Sequence, residues 1–259
     1  MHALTDSATM LRRNLRHALR YPSMTFGVAA TPIIMLLLFY YVFGGAIGGG
    51  LTGAPAGGDY LAYLVPGILL LTVGSATMPV AVAIRTDLTE GIVARFRTMA
   101  IARASVLTGH VVGNVIQTVI SVVLVLGVAL LMGFRTSAGF ADWLLVAAVL
   151  LLLSLGLSWL SAALGQISKT PEGASNVVLP MTFLLPFLSS AFVPVDSMPA
   201  GIRWFAGYQP FTAVIETLRG LLAGSPVGWY GWAAVGWGAG IAVFGYAWSK
   251  ALFNREPAR

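Results

Sequence analysis

The sequence has no cysteine and very little charge. The absence of Cys from 259 residues excludes disulfides, thiol catalysis and cysteine metal clusters. Asp, Glu, Lys and Arg together make up 9% of the chain, whereas a soluble domain contains about 25%. With 58% hydrophobic residues and a mean hydropathy of +0.85, the chain is not an ordinary soluble domain.

Long runs without any charged residue account for this composition. A hydrocarbon core of about 30 Å requires about 20 apolar residues in a helix, whose backbone hydrogen bonds are all internal. The charge-free runs are 21–58, 60–84, 104–134, 143–168, 173–195 and 220–249. The sequence therefore predicts an all-α integral membrane protein, a single transmembrane domain over residues 1–259. Its six predicted spans are 24–43, 60–84, 105–132, 143–166, 176–194 and 228–253.

The basic residues are distributed unevenly between the two sides of this predicted topology. A net charge of +6 could indicate nucleic acid, but with both termini in the cytoplasm only Arg135, Arg203 and Arg219 are external. The cytoplasmic side then holds Arg12, Arg13, Arg16, Arg20, Arg85, Arg95, Arg97, Arg103, Lys169, Lys250, Arg255 and Arg259. This bias follows the positive-inside rule. It predicts a multi-pass protein of the plasma (inner) membrane with both termini cytoplasmic, surrounded by lipid and without a nucleic-acid partner.

Two cytoplasmic segments are amphipathic. Residues 4–20 alternate apolar and basic positions at helical spacing, which predicts a helix lying in the membrane interface. A simple cluster of orienting positive charge is the alternative. The loop 85–103 also predicts a short amphipathic helix, with a charged loop that only fixes topology as the alternative. Its apolar positions are Leu88, Ile92, Val93, Phe96 and Met99.

Prolines and an unusual external segment modify the simple picture of six spans. Pro66 and Pro79 in the second span and Pro180 and Pro186 in the fifth each remove a backbone donor and can bend a helix. The external segment 195–227 is too polar to cross the membrane and too apolar for a free loop. We expect it to form two short helices that re-enter the outer leaflet.

Catalytic and energy-coupling motifs are missing. The segment GQISKT at 165–170 is not a phosphate loop, because Ser168 replaces the Gly required before Lys169. No metal-binding His pair is present, and within the charge-free runs His110 is the one residue among Asp, Glu, Lys, Arg and His, which disfavours a proton-coupled carrier. Gly109, Gly113, Asn114 and Gln117 favour helix packing, with substrate contact as the alternative. We therefore expect a transport protein without catalytic residues, metal or cofactor, which receives its energy from a partner.

Two segments carry a family resemblance. EGIVARFRTMAIAR at 90–103 and PFLSSAFVPVDSMPAGIRWFAGYQPFTAVIETLRG at 186–220 resemble permease subunits of type 2 ABC exporters, the group that includes daunorubicin-resistance and other multidrug permeases. The resemblance extends over the whole chain. It departs from the family pattern at 99–102, where MAIA replaces the usual Pro.

The resemblance implies partners and roles. A separate ABC ATPase, in two copies, would carry ATP and magnesium, and a second permease would complete the exporter. The second permease is identical in the first hypothesis and non-identical in the alternative. The ATPase contact would be formed by Glu90, Gly91, Arg95 and Arg97. The outer re-entrant gate would contain Pro194, Met198, Pro199, Arg203, Pro210, Glu216 and Arg219.

A hydrophobic or amphipathic drug or natural product is the expected substrate, and the exporter would confer antibiotic resistance. A lipid or lipid-linked glycan is the alternative substrate. A non-transporting membrane anchor and a membrane enzyme are the alternatives from other functional classes.

The predicted topology can be tested by thiol labelling, because the chain has no native Cys. Gly50→Cys and Ala200→Cys should react with an impermeant reagent added outside the cell. Lys169→Cys, the matched internal control, should react only in inverted vesicles. Reaction of the first two variants from the cytoplasmic side alone would show that the topology is wrong.

Overall fold

The computed structural model describes residues 22–44, 58–90 and 103–255. All regular elements in these ranges are helical, which confirms the predicted fold class for this part of the chain. The terms inner and outer below denote the predicted cytoplasmic and external sides. The α-helices of more than two turns are α1 (Pro22–Leu37), α2 (Gly58–Ala76), α3 (Met78–Thr89), α4 (Arg103–Leu131), α5 (Phe140–Ile167), α6 (Pro171–Leu179), α7 (Ala200–Tyr208), α8 (Pro210–Leu222) and α9 (Trp229–Arg255).

Shorter helical turns extend or join these elements. A π-helical turn, Leu38–Phe43, continues α1. A second π-helical turn, Pro180–Leu184, continues α6 and leads into a last α-helical turn, Leu185–Phe187. A 3-10 turn, Val195–Ser197, precedes α7.

Three helical stretches in the described ranges are long and apolar enough to cross a membrane. They are Tyr60–Thr89, Leu107–Leu131 and Phe140–Ile167, and Gly27–Phe43 is a shorter apolar helix. These stretches support an integral membrane protein. The count of six spans, and the crossing of the membrane by α1, α6 and α9, remain predictions. The predicted interfacial helix at 4–20 lies outside the described residues.

Helix α2 lies at the centre of the bundle. The most apolar window of Tyr60–Thr89 is 72% buried inside the protein, compared with 28% for Leu107–Leu131 in α4. Helix α2 packs against α1, α4, α5 and α8, and it buries large side chains on several faces, such as the successive residues Leu69, Leu70 and Leu71. A helix that is apolar all round is expected to be surrounded by other helices or by lipid. Here other helices surround α2, whereas α4 leaves much of its apolar surface exposed.

The helical stretch that contains the second predicted span is broken near its middle. The backbone N–H and the hydroxyl of Thr77 donate to the carbonyl of Gly74 at 3.0 and 2.7 Å. Pro79 follows at the start of α3 and has no N–H to continue the α2 pattern. The helix is thus interrupted just before Pro79, as its missing N–H leads us to expect, whereas Pro66 lies inside α2 without interrupting it.

The fifth predicted span, 176–194, has different helix boundaries in the structure. The Thr170 hydroxyl accepts from the Gly173 N–H at 3.0 Å and Pro171 occupies the first turn, so α6 begins earlier than predicted. The helix that continues from α6 ends at Phe187. Extending it to Pro194 was wrong: residues 188–194 leave the helix after two prolines that lack N–H donors. We call them the 188–194 turn.

Helices α5 and α9 make the most extensive contact in the bundle, and glycines permit their close approach. A Cβ atom on Gly245 would lie 2.7 Å from the backbone nitrogen of Leu160. A Cβ on Gly156 would lie 3.1 Å from the nitrogen of Ala242. Lipid solvates apolar side chains as well as protein does, so helix association in a membrane depends on such close packing.

This packing generates a stability prediction. Gly245→Ala should force α5 and α9 apart and lower the free energy of unfolding by about 1–3 kcal/mol, the usual cost of overpacking. Gly240→Ala is the matched control on the same helix, because a Cβ there meets nothing within 4 Å. Thermal unfolding of the purified protein in detergent measures both. Equal melting temperatures for the two variants would contradict the predicted contact.

Candidate functional site

The outer segment folds into two helices whose starts are set by proline. Pro199 directly precedes α7, and Pro210 is the first residue of α8, a position where its fixed φ and missing N–H cost nothing. Between the two helices, the Gln209 side-chain amide donates to the carbonyls of Leu185 and Leu188 at 3.2 and 2.6 Å. The junction of α7 and α8 is therefore attached to the end of the helix that continues from α6.

Helix α7 is a surface helix with an aromatic face. Trp204 and Tyr208 are both exposed, and their ring centroids are 5.9 Å apart. Arg203 makes its hydrogen bonds to the turn that precedes α7: its guanidinium donates to the carbonyl of Asp196 at 2.6 Å and to that of Met198 at 3.1 Å. Arg203 thus stabilises the entry into α7.

Helix α8 is largely buried, and Arg219 near its end joins three elements. One terminal nitrogen of Arg219 donates to the carbonyls of Tyr63 in α2 and Ser190 in the 188–194 turn, at 3.2 and 3.0 Å. The other donates to the Glu216 carboxylate at 2.5 Å. The guanidinium carbon lies 3.8 Å from the centroid of the Tyr63 ring, and the Tyr63 hydroxyl donates to the Ser190 carbonyl at 3.0 Å. We call Tyr63, Ser190, Glu216 and Arg219 the outer cluster.

The outer cluster compensates a charge in an otherwise apolar environment. The Arg219 side chain is only 20% exposed, so much of its hydration is replaced by protein groups. Glu216 neutralises the charge, two carbonyls accept its hydrogens, and the Tyr63 ring adds a cation–π contact. Because these partners lie on separate elements, moving α8 away from α2 or from the 188–194 turn would break several contacts together.

The last carbonyls of α8 are also occupied. The hydroxyls of Thr136 and Ser137, in the outer loop between α4 and α5, donate to the carbonyls of Leu222 and Ala223 at 2.5 and 2.6 Å. Gly224 then ends the helix with a φ of +64°, and a Cβ there would meet the Ser137 hydroxyl at 3.2 Å. Helix α8 is therefore held along its length by α2, the 188–194 turn and this loop.

The structure brings together some of the predicted gate residues. Glu216 and Arg219 meet in the outer cluster, whereas Arg203 and the Met198 carbonyl form a separate contact at the start of α7. Pro194, Pro199 and Pro210 stand where short helices begin. Sequence reasoning missed Tyr63, Ser190 and Gln209, because their roles depend on backbone groups that are distant in the sequence.

On the inner side, Glu90 lies directly after α3. Its side chain is exposed, and its N–H donates to the Thr86 carbonyl at 2.9 Å. Gly91, Arg95 and Arg97, the other predicted ATPase contacts, lie outside the described residues. Just before Glu90, the Asp87 carboxylate is 2.8 Å from His110 Nε2 in α4. We call Asp87 and His110 the inner pair.

One of the polar residues predicted to pack α4 makes an interhelical hydrogen bond, and the role of Gln117 remains a prediction. The Asn114 side-chain amide donates to the Ser158 hydroxyl of α5 at 2.9 Å, which confirms a helix-packing role for Asn114. Gly109 is buried and Gly113 is half-buried. Substrate contact at these positions, the alternative, remains a prediction.

Comparison with known proteins identifies the family. Residues 6–223 match the model of the ABC-2 type transporter family. The chain belongs to the ABC-2 type transporter family. The match ends at the outer end of α8, so this ABC-2 domain includes the outer cluster and the inner pair.

Individual ABC-2 relatives agree with the resemblance seen in the sequence. The chain is 28% identical over 227 residues to the daunorubicin resistance ABC transporter permease protein DrrB1 of Streptomyces coeruleorubidus, covering 88% of this chain and 78% of that protein. It is 27% identical over 180 residues to the probable doxorubicin resistance ABC transporter permease protein DrrC of Mycobacterium tuberculosis (strain CDC 1551 / Oshkosh), covering 70% of this chain and 65% of that protein. The chain is thus homologous to drug-resistance permeases.

The outer cluster predicts a large effect of one substitution. Arg219→Gln should lower the free energy of unfolding by about 2–3 kcal/mol, because it removes charge-assisted hydrogen bonds to partly buried groups. Arg135→Gln is the control, since Arg135 is exposed and bonds only the nearby carbonyls of Leu130 and Phe134. Thermal unfolding in detergent compares them. A shift for Arg219→Gln no larger than for Arg135→Gln would contradict the outer cluster as the junction of three elements.

Proposed function

We propose that the chain is the transmembrane subunit of an ATP-driven exporter that moves a hydrophobic or amphipathic drug or natural product out of the cell. The observation that carries this proposal is the family match over residues 6–223. The relatives named for daunorubicin and doxorubicin resistance favour such a compound over a lipid or a lipid-linked glycan. They also favour transport over a passive membrane anchor.

ATP and magnesium belong, in this proposal, to a separate ATPase. The sequence offers no phosphate loop, so hydrolysis must take place on a partner. Two ATPases and two permeases, the permeases identical, would form the exporter in the plasma membrane with all permease termini in the cytoplasm. Glu90, Gly91, Arg95 and Arg97 would contact the ATPase. The exposure of Glu90 at the end of α3 supports this placement.

The outer segment would close the exit of the transport path. The proposed gate consists of the re-entrant helices α7 and α8 with Pro194, Met198, Pro199, Arg203, Pro210, Glu216 and Arg219. Helix α8 is joined to the central helix α2 and to the 188–194 turn through one guanidinium. Because polar contacts of α8 with two other elements converge on Arg219, they would break together when the gate opens. This arrangement suits a device with two discrete states.

A charge reversal tests the proposed function. The protein and its ATPase are purified together and reconstituted into vesicles, and ATP-dependent uptake of daunorubicin into inside-out vesicles is measured. Glu90→Arg should reduce the recovered ATPase or the daunorubicin uptake about tenfold, because the reversed charge would be repelled by a like charge on the ATPase. Glu172→Arg is the control, because Glu172 is another exposed inner carboxylate. Absence of ATP-dependent uptake by the unmodified complex, with daunorubicin and with other amphipathic drugs, would contradict the proposed function.

If the unmodified complex is active and both variants lose uptake equally, the effect is a general one of inner surface charge. That outcome would contradict the specific docking role of Glu90 and leave the exporter function standing.

A further inference from the structure

The inner pair lies where the cytoplasmic loop joins the helix bundle. Helix α3 ends at Thr89 and α4 begins at Arg103, so Asp87 and His110 flank the loop that contains the proposed ATPase contacts. The Asp87 carboxylate accepts a hydrogen bond from His110 Nε2 at 2.8 Å. Their side chains are 16% and 20% exposed. The contact is an ion pair when the imidazole is protonated and a hydrogen bond otherwise.

Within the described residues, α3 and α4 pack against each other only sparsely apart from the inner pair. Helix α3 packs extensively against α5 and α6 and only sparsely against α4. The two helices also meet in a small apolar cluster, to which α3 contributes Val80 and Ile84 and α4 contributes Leu107 and Val111. Apolar contacts of this kind have no direction and allow neighbouring helices to slide. A hydrogen bond to a carboxylate fixes distance and direction and is one of the stronger polar contacts.

A force applied to the loop reaches α3 and α4 through the two ends of the loop, since these helices end and begin there. If α3 and α4 were free to separate, a displacement of the loop would spread them apart and would be lost before it reached α2. With the inner pair intact, the two ends of the loop move together. The break at Thr77 then passes the movement of α3 to α2, since the Thr77 hydroxyl and N–H hold the Gly74 carbonyl across it.

We propose that Asp87 and His110 are positioning residues that clamp the base of the cytoplasmic loop and make transport efficient per ATP hydrolysed. This inference rests on the proposed function. The clamp does not itself bind the ATPase. Its loss should therefore lower the number of substrate molecules moved per ATP while leaving the recovered ATPase unchanged.

The test compares Asp87→Asn, His110→Gln, their combination, and the exchange Asp87→His with His110→Asp. Each is purified with its ATPase, and daunorubicin uptake, ATP hydrolysis and the amount of bound ATPase are measured. Each single substitution should lower uptake per ATP about fivefold to tenfold. The combination should give an uptake per ATP no lower than that of the less active single variant, as expected for residues in contact. The exchange should restore uptake per ATP to within about twofold.

Asp142→Asn is the matched control. Asp142 accepts a hydrogen bond from the Gly139 N–H at 2.8 Å on the outer side, so its loss can change stability without touching the loop. It should leave uptake per ATP unchanged.

Two outcomes would overturn the clamp. One is normal uptake per ATP in both single variants. The other is a loss of bound ATPase or of folded protein in the single variants that the exchange does not repair. Failure of the unmodified complex to couple uptake to ATP would instead overturn the proposed function, so the two failures are distinguishable.

Discussion

A guanidinium among apolar helices must find its hydrogen-bond acceptors within the protein, because hydrocarbon offers none. At its two terminal nitrogens Arg219 meets this constraint with two backbone carbonyls and one carboxylate, and the Tyr63 ring adds a cation–π contact. These partners lie on α2, α8 and the 188–194 turn, whereas the buried Nε of Arg219 has no hydrogen-bond partner among the described residues. The position of α8 follows from this requirement. The end of the helix that continues from α6, at Phe187, agrees with it too. The Ser190 carbonyl is available to Arg219 only because the chain has left the helix before that point. One charged side chain thus joins three elements in the outer half of the bundle.

The rest of the bundle is held by contacts that lipid cannot replace. Glycines bring α5 and α9 together, and amide and hydroxyl pairs such as Asn114 with Ser158 and Gln166 with Ser249 join neighbouring helices. These contacts are numerous, and each contributes about 1 kcal/mol or less. They suit a rigid scaffold. The outer cluster and the inner pair are different, since each joins elements through hydrogen bonds that involve an acidic side chain.

Periodicity and charge in the sequence predicted most helices to within a few residues, because charge-free runs of about 20 residues have few structural solutions in a membrane. The fifth span was less predictable. Pro180 and Pro186 indicated a bend, but neither residue reveals that the helix ends at Phe187. The partners of Arg219 could not be predicted either, because carbonyls of Tyr63 and Ser190 leave no signature in the sequence. Glu216 was found because it lies on the same helical face as Arg219. The inner pair was missed because Asp87 and His110 lie on different helices.

The proposed gate requires α8 to separate from the 188–194 turn during export. The Thr212 hydroxyl of α8 accepts a hydrogen bond from the Ser190 N–H at 3.3 Å, so a covalent link between these positions would hold the two elements together. Ser190→Cys with Thr212→Cys introduces that link into a chain without other cysteines. Oxidation should abolish ATP-dependent export while the ATPase stays bound, reduction should restore export, and each single variant should be insensitive to oxidant. Export at the unmodified rate by the fully cross-linked protein would contradict the proposed separation of α8 from the 188–194 turn.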